Sequence, residues 1–233
     1  NPFLVPMHSQ NTVLPPTCVT LYGFPPFEGT NEPVDLQYSI HVCPRLMISE
    51  VTPVFPHLLS FKDIKNNPEL YCIPTFQRSQ YDLIELTKNA EYDKNRLLES
   101  FYAWGKEVIS NIVAAPEGGN EETSQDEDIK ANRGYWADLI DPCSGFPLYS
   151  KNGSSTYSEV DGMQLLLKYR VEQVGPCSVV LHPEWNTFCY PASLFTTAPP
   201  PVILAAVQAA NTKYGTATNP VGAVTQDVCD ISS

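Results

Sequence analysis

Positive charge is scarce in this chain. Its 14 lysines and arginines face 26 acids, giving a net charge of −12 at neutral pH. A surface of that sign is repelled by phosphate backbones, which argues against nucleic acid as a partner. Long apolar runs are missing too. The most apolar stretch, 199–210 (PPPVILAAVQAA), is interrupted by Gln208 and falls short of the roughly 20 residues a bilayer requires. No basic amphipathic helix is present to lie on a membrane surface. Seven cysteines, at 18, 43, 72, 143, 177, 189 and 229, include no Cys-x-x-Cys pair, so a zinc ribbon or thioredoxin-like motif is not supported. They read as free thiols of a reducing compartment. Only four histidines occur (8, 41, 57 and 182), no Gly-x-Ser-x-Gly elbow is found, and the glycines form no phosphate-cradling or dinucleotide fingerprint.

What is there reads as a folded chain. Hydrophobic residues make up 42% and charged residues 17% of 233 positions, enough apolar surface for a core without a metal or disulfide staple. The 22 prolines crowd into 1–33 and 191–201, so both ends are expected as irregular arms. The chain opens at Asn1 rather than methionine, as expected of a processed product or of part of a longer sequence. Residues 36–42 (LQYSIHV) alternate as a strand, 43–56 hold a short helix interrupted at Pro53, and 69–77 (ELYCIPTFQ) form a second strand. Pro74 places that strand at an edge or a bulge. The clearest helix covers 91–115, where Leu97, Leu98, Phe101, Trp104, Val108, Ile109 and Ile112 recur at three- and four-residue steps. Pro116 and the following glycines end it.

Five acids between Glu121 and Asp128 read as a solvated insertion, because the alternating oxygen ligands of a calcium loop are lacking. Strand-like pieces follow at 135–140, 146–150, 163–171, 178–182 and 186–195, separated by turn signals; 163–171 could equally begin as a helix. The tail beyond Pro199 holds one more short helix. A long helix beside a largely antiparallel sheet makes the expected class α+β. The expected divisions are a Pro-rich arm (1–35), an α+β domain (36–199) with an acidic insertion (117–133), and an extension (200–233).

Candidate chemistry is thin, and no catalytic residue is assigned. His182 lies five residues from Cys177, and on a strand an odd separation puts the two side chains on opposite faces, so a local dyad is not expected. Asp138 and Asp141 are spaced as a carboxylate pair, but Asp141 precedes Pro142 in a turn sequence where an Asp side chain ordinarily bonds back to amides. Cys177 follows the Gly175-Pro176 turn. It is the one candidate soft metal ligand, and the competing reading, packing in the core, is preferred.

The string 134–150 (GYWADLIDPCSGFPLYS) resembles the methylmalonic aciduria and homocystinuria type D protein family, the cobalamin-trafficking proteins called CblD. Segments 39–56, 95–108, 171–185 and 193–199 follow the family pattern in the same order, so the resemblance covers roughly 36–199. It implies an α+β fold like the flavin nitroreductase scaffold, without a flavin site. It also implies a non-enzymatic adaptor that docks on a CblC-like protein, carries no cobalamin alone, and meets that cofactor in the complex. The implied compartment is mitochondrial or cytoplasmic, the former favoured. One position departs. The family reads Gly-Cys-Cys where this chain has Gly175-Pro176-Cys177, and the first of those cysteines is the family's cobalt-ligating thiol. Pro176 holds that position here; Cys177 matches the second cysteine and is expected in the core. That loss raises an alternative: a CblD-like fold serving as accessory subunit of a larger assembly without cobalamin.

Overall fold

A computed structural model describes residues 11–24, 31–56, 69–115 and 135–215. Five antiparallel strands form the central sheet: β1 (Thr12–Leu21), β2 (Val34–Val42), β3 (Tyr71–Arg78), β4 (Ala137–Leu139) and β7 (Cys189–Thr196), in the order β1-β2-β3-β7-β4. Strands β5 (Arg170–Val174) and β6 (Cys177–Leu181) make a separate hairpin. Among the described residues four helices accompany them: α1 (Arg45–Val51), α2 (Lys88–Ala114), α3 (Glu159–Leu167) and α4 (Pro200–Gly215). The class is α+β, as expected, and the nitroreductase scaffold is compatible with it.

The sheet is covered on both faces. Because side chains alternate along a strand, Tyr71 and Ile73 of β3 and Ala192 and Leu194 of β7 point one way. There they meet Phe101, Trp104, Val108 and Ile112 of α2 with Ile203, Ala206, Val207 and Ala210 of α4. Cys72 and Phe195 point the other way, into a cluster with Met47 and Val51 of α1, Phe55, Tyr157 and Leu166. Helix α2 is the expected long helix. It starts at Lys88, where the Thr87 hydroxyl accepts from the Ala90 amide as an N-cap, and it ends before Pro116.

Three expectations need correcting. The Pro-rich arm carries edge strand β1, whose register shifts between Thr12 and Leu14 and again between Leu14 and Thr17. Those irregularities accommodate Pro15 and Pro16, which cannot donate to a ladder. Leu21 of β1 and Ile203 of α4 belong to the main core, so the boundaries at 35 and 200 run through one packed body rather than around it. Pro74 lies in a central strand. It pairs with Ser193 of β7, while the β2–β3 register skips from Tyr38–Thr75 to His41–Cys72 and leaves the gap opposite Pro74. Finally, 146–150 is not a strand but a turn region with a single bridge, Ile140 to Pro147. The acidic insertion at 117–133 lies outside the described residues.

Candidate functional site: a projecting hairpin and the cleft beside its base

The β5–β6 hairpin is closed by the pair Val174–Cys177, with Gly175 and Pro176 between. Gly175 has φ +58°, a conformation that suits glycine. Proline fixes its own φ near −65°, so the loop is a type II′ turn, one of the two whose twist matches a hairpin. The Gln173 amide donates to the Gly175 carbonyl at 3.0 Å and accepts from the Ser178 hydroxyl at 3.0 Å, which clamps the tip. Gly175, Pro176, Cys177 and Ser178 are all exposed.

Cys177 is therefore on the surface, not in the core. The core reading rested on the general tendency of free cysteine to be buried. The hairpin stands clear of the central sheet, and only its base, at Val180 and Leu181, is buried.

His182 anchors that base. Its Nδ1 accepts from the backbone amides of Glu184 and Trp185 at 3.3 and 3.1 Å. The proton therefore sits on Nε2, which donates to the side-chain oxygen of Gln37 at 2.9 Å. The Tyr169 hydroxyl donates to the same oxygen at 3.0 Å, and the imidazole stacks on Trp185 with centroids 4.2 Å apart. Burial lowers the His182 pKa to about 4, so the ring is neutral at physiological pH. Five strand residues span about 16 Å, so Cys177 and His182 sit at opposite ends of β6. No dyad forms, as the spacing indicated. A Gln37→Leu change takes the shared acceptor from the buried His182 Nε2–H and the half-buried Tyr169 hydroxyl. We expect a loss of about 2–4 kcal/mol in chemical denaturation, and loss of the slowly exchanging His182 ring proton by NMR.

The carboxylate pair is structural. Asp138 is fully buried and accepts from the amides of Tyr149 and Ser150 at 3.0 and 2.7 Å. Asp141 accepts from the Cys143 amide at 3.0 Å, the Ser144 hydroxyl at 2.6 Å and the Tyr102 hydroxyl at 2.8 Å. Partial burial opposes ionisation of Asp141, but these hydrogen bonds outweigh it and hold its pKa below the ordinary value. Among the described residues, no group of three or more His, Cys, Asp or Glu is placed to hold a metal ion.

Sequence reasoning missed two buried acids. Glu159 opens α3 and accepts from Ser193 Oγ at 2.5 Å. Burial of its carboxyl raises its pKa to about 8, against the hydrogen bond from Ser193, so it is protonated at neutral pH. Cys43, Cys72 and Tyr157 surround it, each with its own pKa raised chiefly by burial. Asp93, on α2, takes Arg96 Nε and Nη2 on one oxygen at 2.7 and 2.6 Å, and the Ser79 hydroxyl and Gln80 amide on the other at 2.6 and 2.7 Å. An i,i+3 Asp–Arg pair on a helix ordinarily reads as a surface pair; here the turn after β3 covers it. A Ser at 158 before an acidic first turn was the one signal for Glu159, and it pointed to a solvated helix start.

With this geometry in place, residues 128–208 match the sequence model of the methylmalonic aciduria and homocystinuria type D protein. The chain resembles the CblD family. That segment holds β4, α3, the whole projecting hairpin and β7. The cobalamin trafficking protein CblD of Rattus norvegicus is 26% identical over 186 residues, covering 74% of this chain and 54% of the relative. That of Homo sapiens is 26% identical over 188 residues, with 75% and 55% covered. That of Gallus gallus is 25% identical over 169 residues, with 72% and 49% covered. The chain thus spans about half the length of the CblD relatives it matches.

Proposed function

We propose that this protein is a non-enzymatic cobalamin-trafficking adaptor that works by contact with a CblC-like partner, in the mitochondrion or cytoplasm. The observation that carries this reading is the projecting hairpin, which lies inside the CblD-matched segment and presents an exposed cysteine at its tip. Asp138, Asp141 and His182, the side chains best suited to acid–base work, are all engaged in holding turns and the hairpin base. That favours a role in contact over one in chemistry. Cobalamin is cargo in this reading, met while it is held by the partner.

Pro176 shapes the mechanism. It provides no thiolate and no backbone N–H, and its fixed φ stiffens the tip. The thiol within reach of a partner's corrinoid is Cys177, one residue further on. The test is co-elution with a CblC-like protein loaded with cobalamin, followed by absorption spectroscopy of the complex. We expect a stable complex whose cobalt–thiolate band disappears on Cys177→Ser. The same change, at an exposed site, should alter stability by less than about 0.5 kcal/mol. Failure to co-elute with cobalamin present overturns the adaptor reading.

The replaced cysteine also favours a second reading, an accessory subunit of a larger assembly without cobalamin. It is distinguished by migration of the native protein with a large complex and by the absence of any cobalt–thiolate band.

A further inference from the structure

A cleft of about 690 Å³ opens beside the hairpin base, and its lining includes Asp35, Arg78, Arg96, Glu184, Trp185 and Phe188. Its size falls within the range of small-molecule sites. Arg96 is the unusual member. Its side chain is only 5% exposed, and Asp93 engages Nε and Nη2 through a single oxygen. Nη1, also buried, has no hydrogen-bond partner. A buried donor left unmatched is costly, and a bound acceptor removes that cost.

The surrounding charges narrow the acceptor. Asp93 is committed to Arg96, Ser79 and Gln80. Asp35 accepts from the Thr20 hydroxyl at 2.7 Å and holds Arg78 loosely at 3.7 Å, with both partners of the ion pair well exposed. Glu32 accepts from the Gln80 side-chain Nε2 at 2.6 Å. Arg78 can therefore turn toward a ligand at little cost, and Arg96 holds one nitrogen, Nη1, with no acceptor. Two guanidiniums can grip one carboxylate bidentately. Asp35 and Glu184 in the lining, with Asp93 on Arg96, weigh against a doubly charged phosphate. Trp185, stacked on His182, and the 41%-exposed Phe188 supply an aromatic wall for a flat apolar body.

We propose that this cleft is a binding site for a small organic monocarboxylate with a flat apolar body, the carboxylate lying on Arg96 and Arg78 and the body against Trp185 and Phe188. The site is separate from the hairpin tip and does not depend on cobalamin.

The experiment uses the full chain and three probes: 3-phenylpropionate, its neutral amide, and inorganic phosphate. Binding is followed by ligand-observed NMR and by the indole resonance of Trp185. The expected result is saturable binding of 3-phenylpropionate, at least about ten-fold weaker binding of the amide, and no saturable binding of phosphate. Arg78→Ala, a change at an exposed position, should weaken the carboxylate about ten-fold with an unchanged melting temperature; Arg96→Lys should weaken it further if it folds. The proposal is overturned if 3-phenylpropionate fails to saturate, if the amide binds equally well, if phosphate binds more tightly, or if Arg78→Ala leaves affinity unchanged.

Discussion

Replacing Asp93 with Ala is expected to be among the most damaging single changes in this chain, costing about 3–5 kcal/mol in urea or guanidinium unfolding. The cost comes from what is left behind. Arg96 is 4% exposed and would lose the one carboxylate that neutralises it. The Gln80 backbone amide loses its acceptor in the same step, and the Ser79 hydroxyl keeps only the Tyr81 carbonyl, which loosens the turn between β3 and α2. Asp93→Asn should cost less, because the amide oxygen still accepts although the charge is gone. A double change, Asp93→Leu with Arg96→Met, removes the buried charge altogether and should recover much of the loss. If Asp93→Ala unfolds at the same denaturant concentration as the parent, the pair is not what holds the turn.

The second large effect concerns pH. Glu159 has a folded-state pKa of about 8 against an ordinary 4.5, so its contribution to stability is fully present below pH 4.5 and is lost as pH rises toward 8. Over that window the unfolded chain gives up a proton that the folded chain keeps, at about 1.4 kcal/mol per pH unit. His41 and His182 act in the opposite sense. Burial lowers each to about 4 from 6.5, so their contribution is lost as pH falls from 6.5 toward 4. Two groups rising and one falling leave a net gain up to about pH 6.5 and a net loss above it. Maximal stability is therefore expected near pH 6.5. In Glu159→Gln the decline between about pH 6.5 and 8 should vanish, while the acid limb set by the histidines remains. Thermal unfolding of both proteins across that range is the measurement, and parallel curves would refute the assignment to Glu159. The neighbouring Cys43, Cys72 and Tyr157 stay neutral through this window because burial has raised each of them.

Helix α2 was legible because it buries residues at one period, and β2 and β7 because short strand-forming runs lie between turn signals. Phe101, Trp104, Val108 and Ile112 fall on one helical face whatever the rest of the chain does. Strand β1 was not legible: two adjacent prolines break the alternation, and the bulges that rescue the pairing depend on β2. Pro74 misled in the same way, since its position in the sheet order depends on β7, more than a hundred residues later. At the site, the engaged roles of Asp141 and the separation of Cys177 from His182 followed from local spacing. The exposure of Cys177 did not, because periodicity tells which face of a strand a residue occupies and not whether another layer covers that face. Glu159, Asp93 and the unmatched Arg96 nitrogen were hidden for a related reason. Their burial is made by distant segments, and a charged residue on a helix carries no local mark of being covered.

The order β1-β2-β3-β7-β4 has a consequence for how the chain is made. Strand β3 pairs with β2 soon after synthesis, but its other neighbour, β7, begins only at Cys189. Until then β3 is an open edge, offering its free backbone groups to any other nascent chain. Pro74 does not blunt that edge: Leu70 gives its carbonyl to Cys43 on the β2 side, so Pro74, four residues on, also turns its donor-less nitrogen toward β2. The edge that awaits β7 is therefore whole, and a chain released before Cys189 should aggregate more readily than the finished protein.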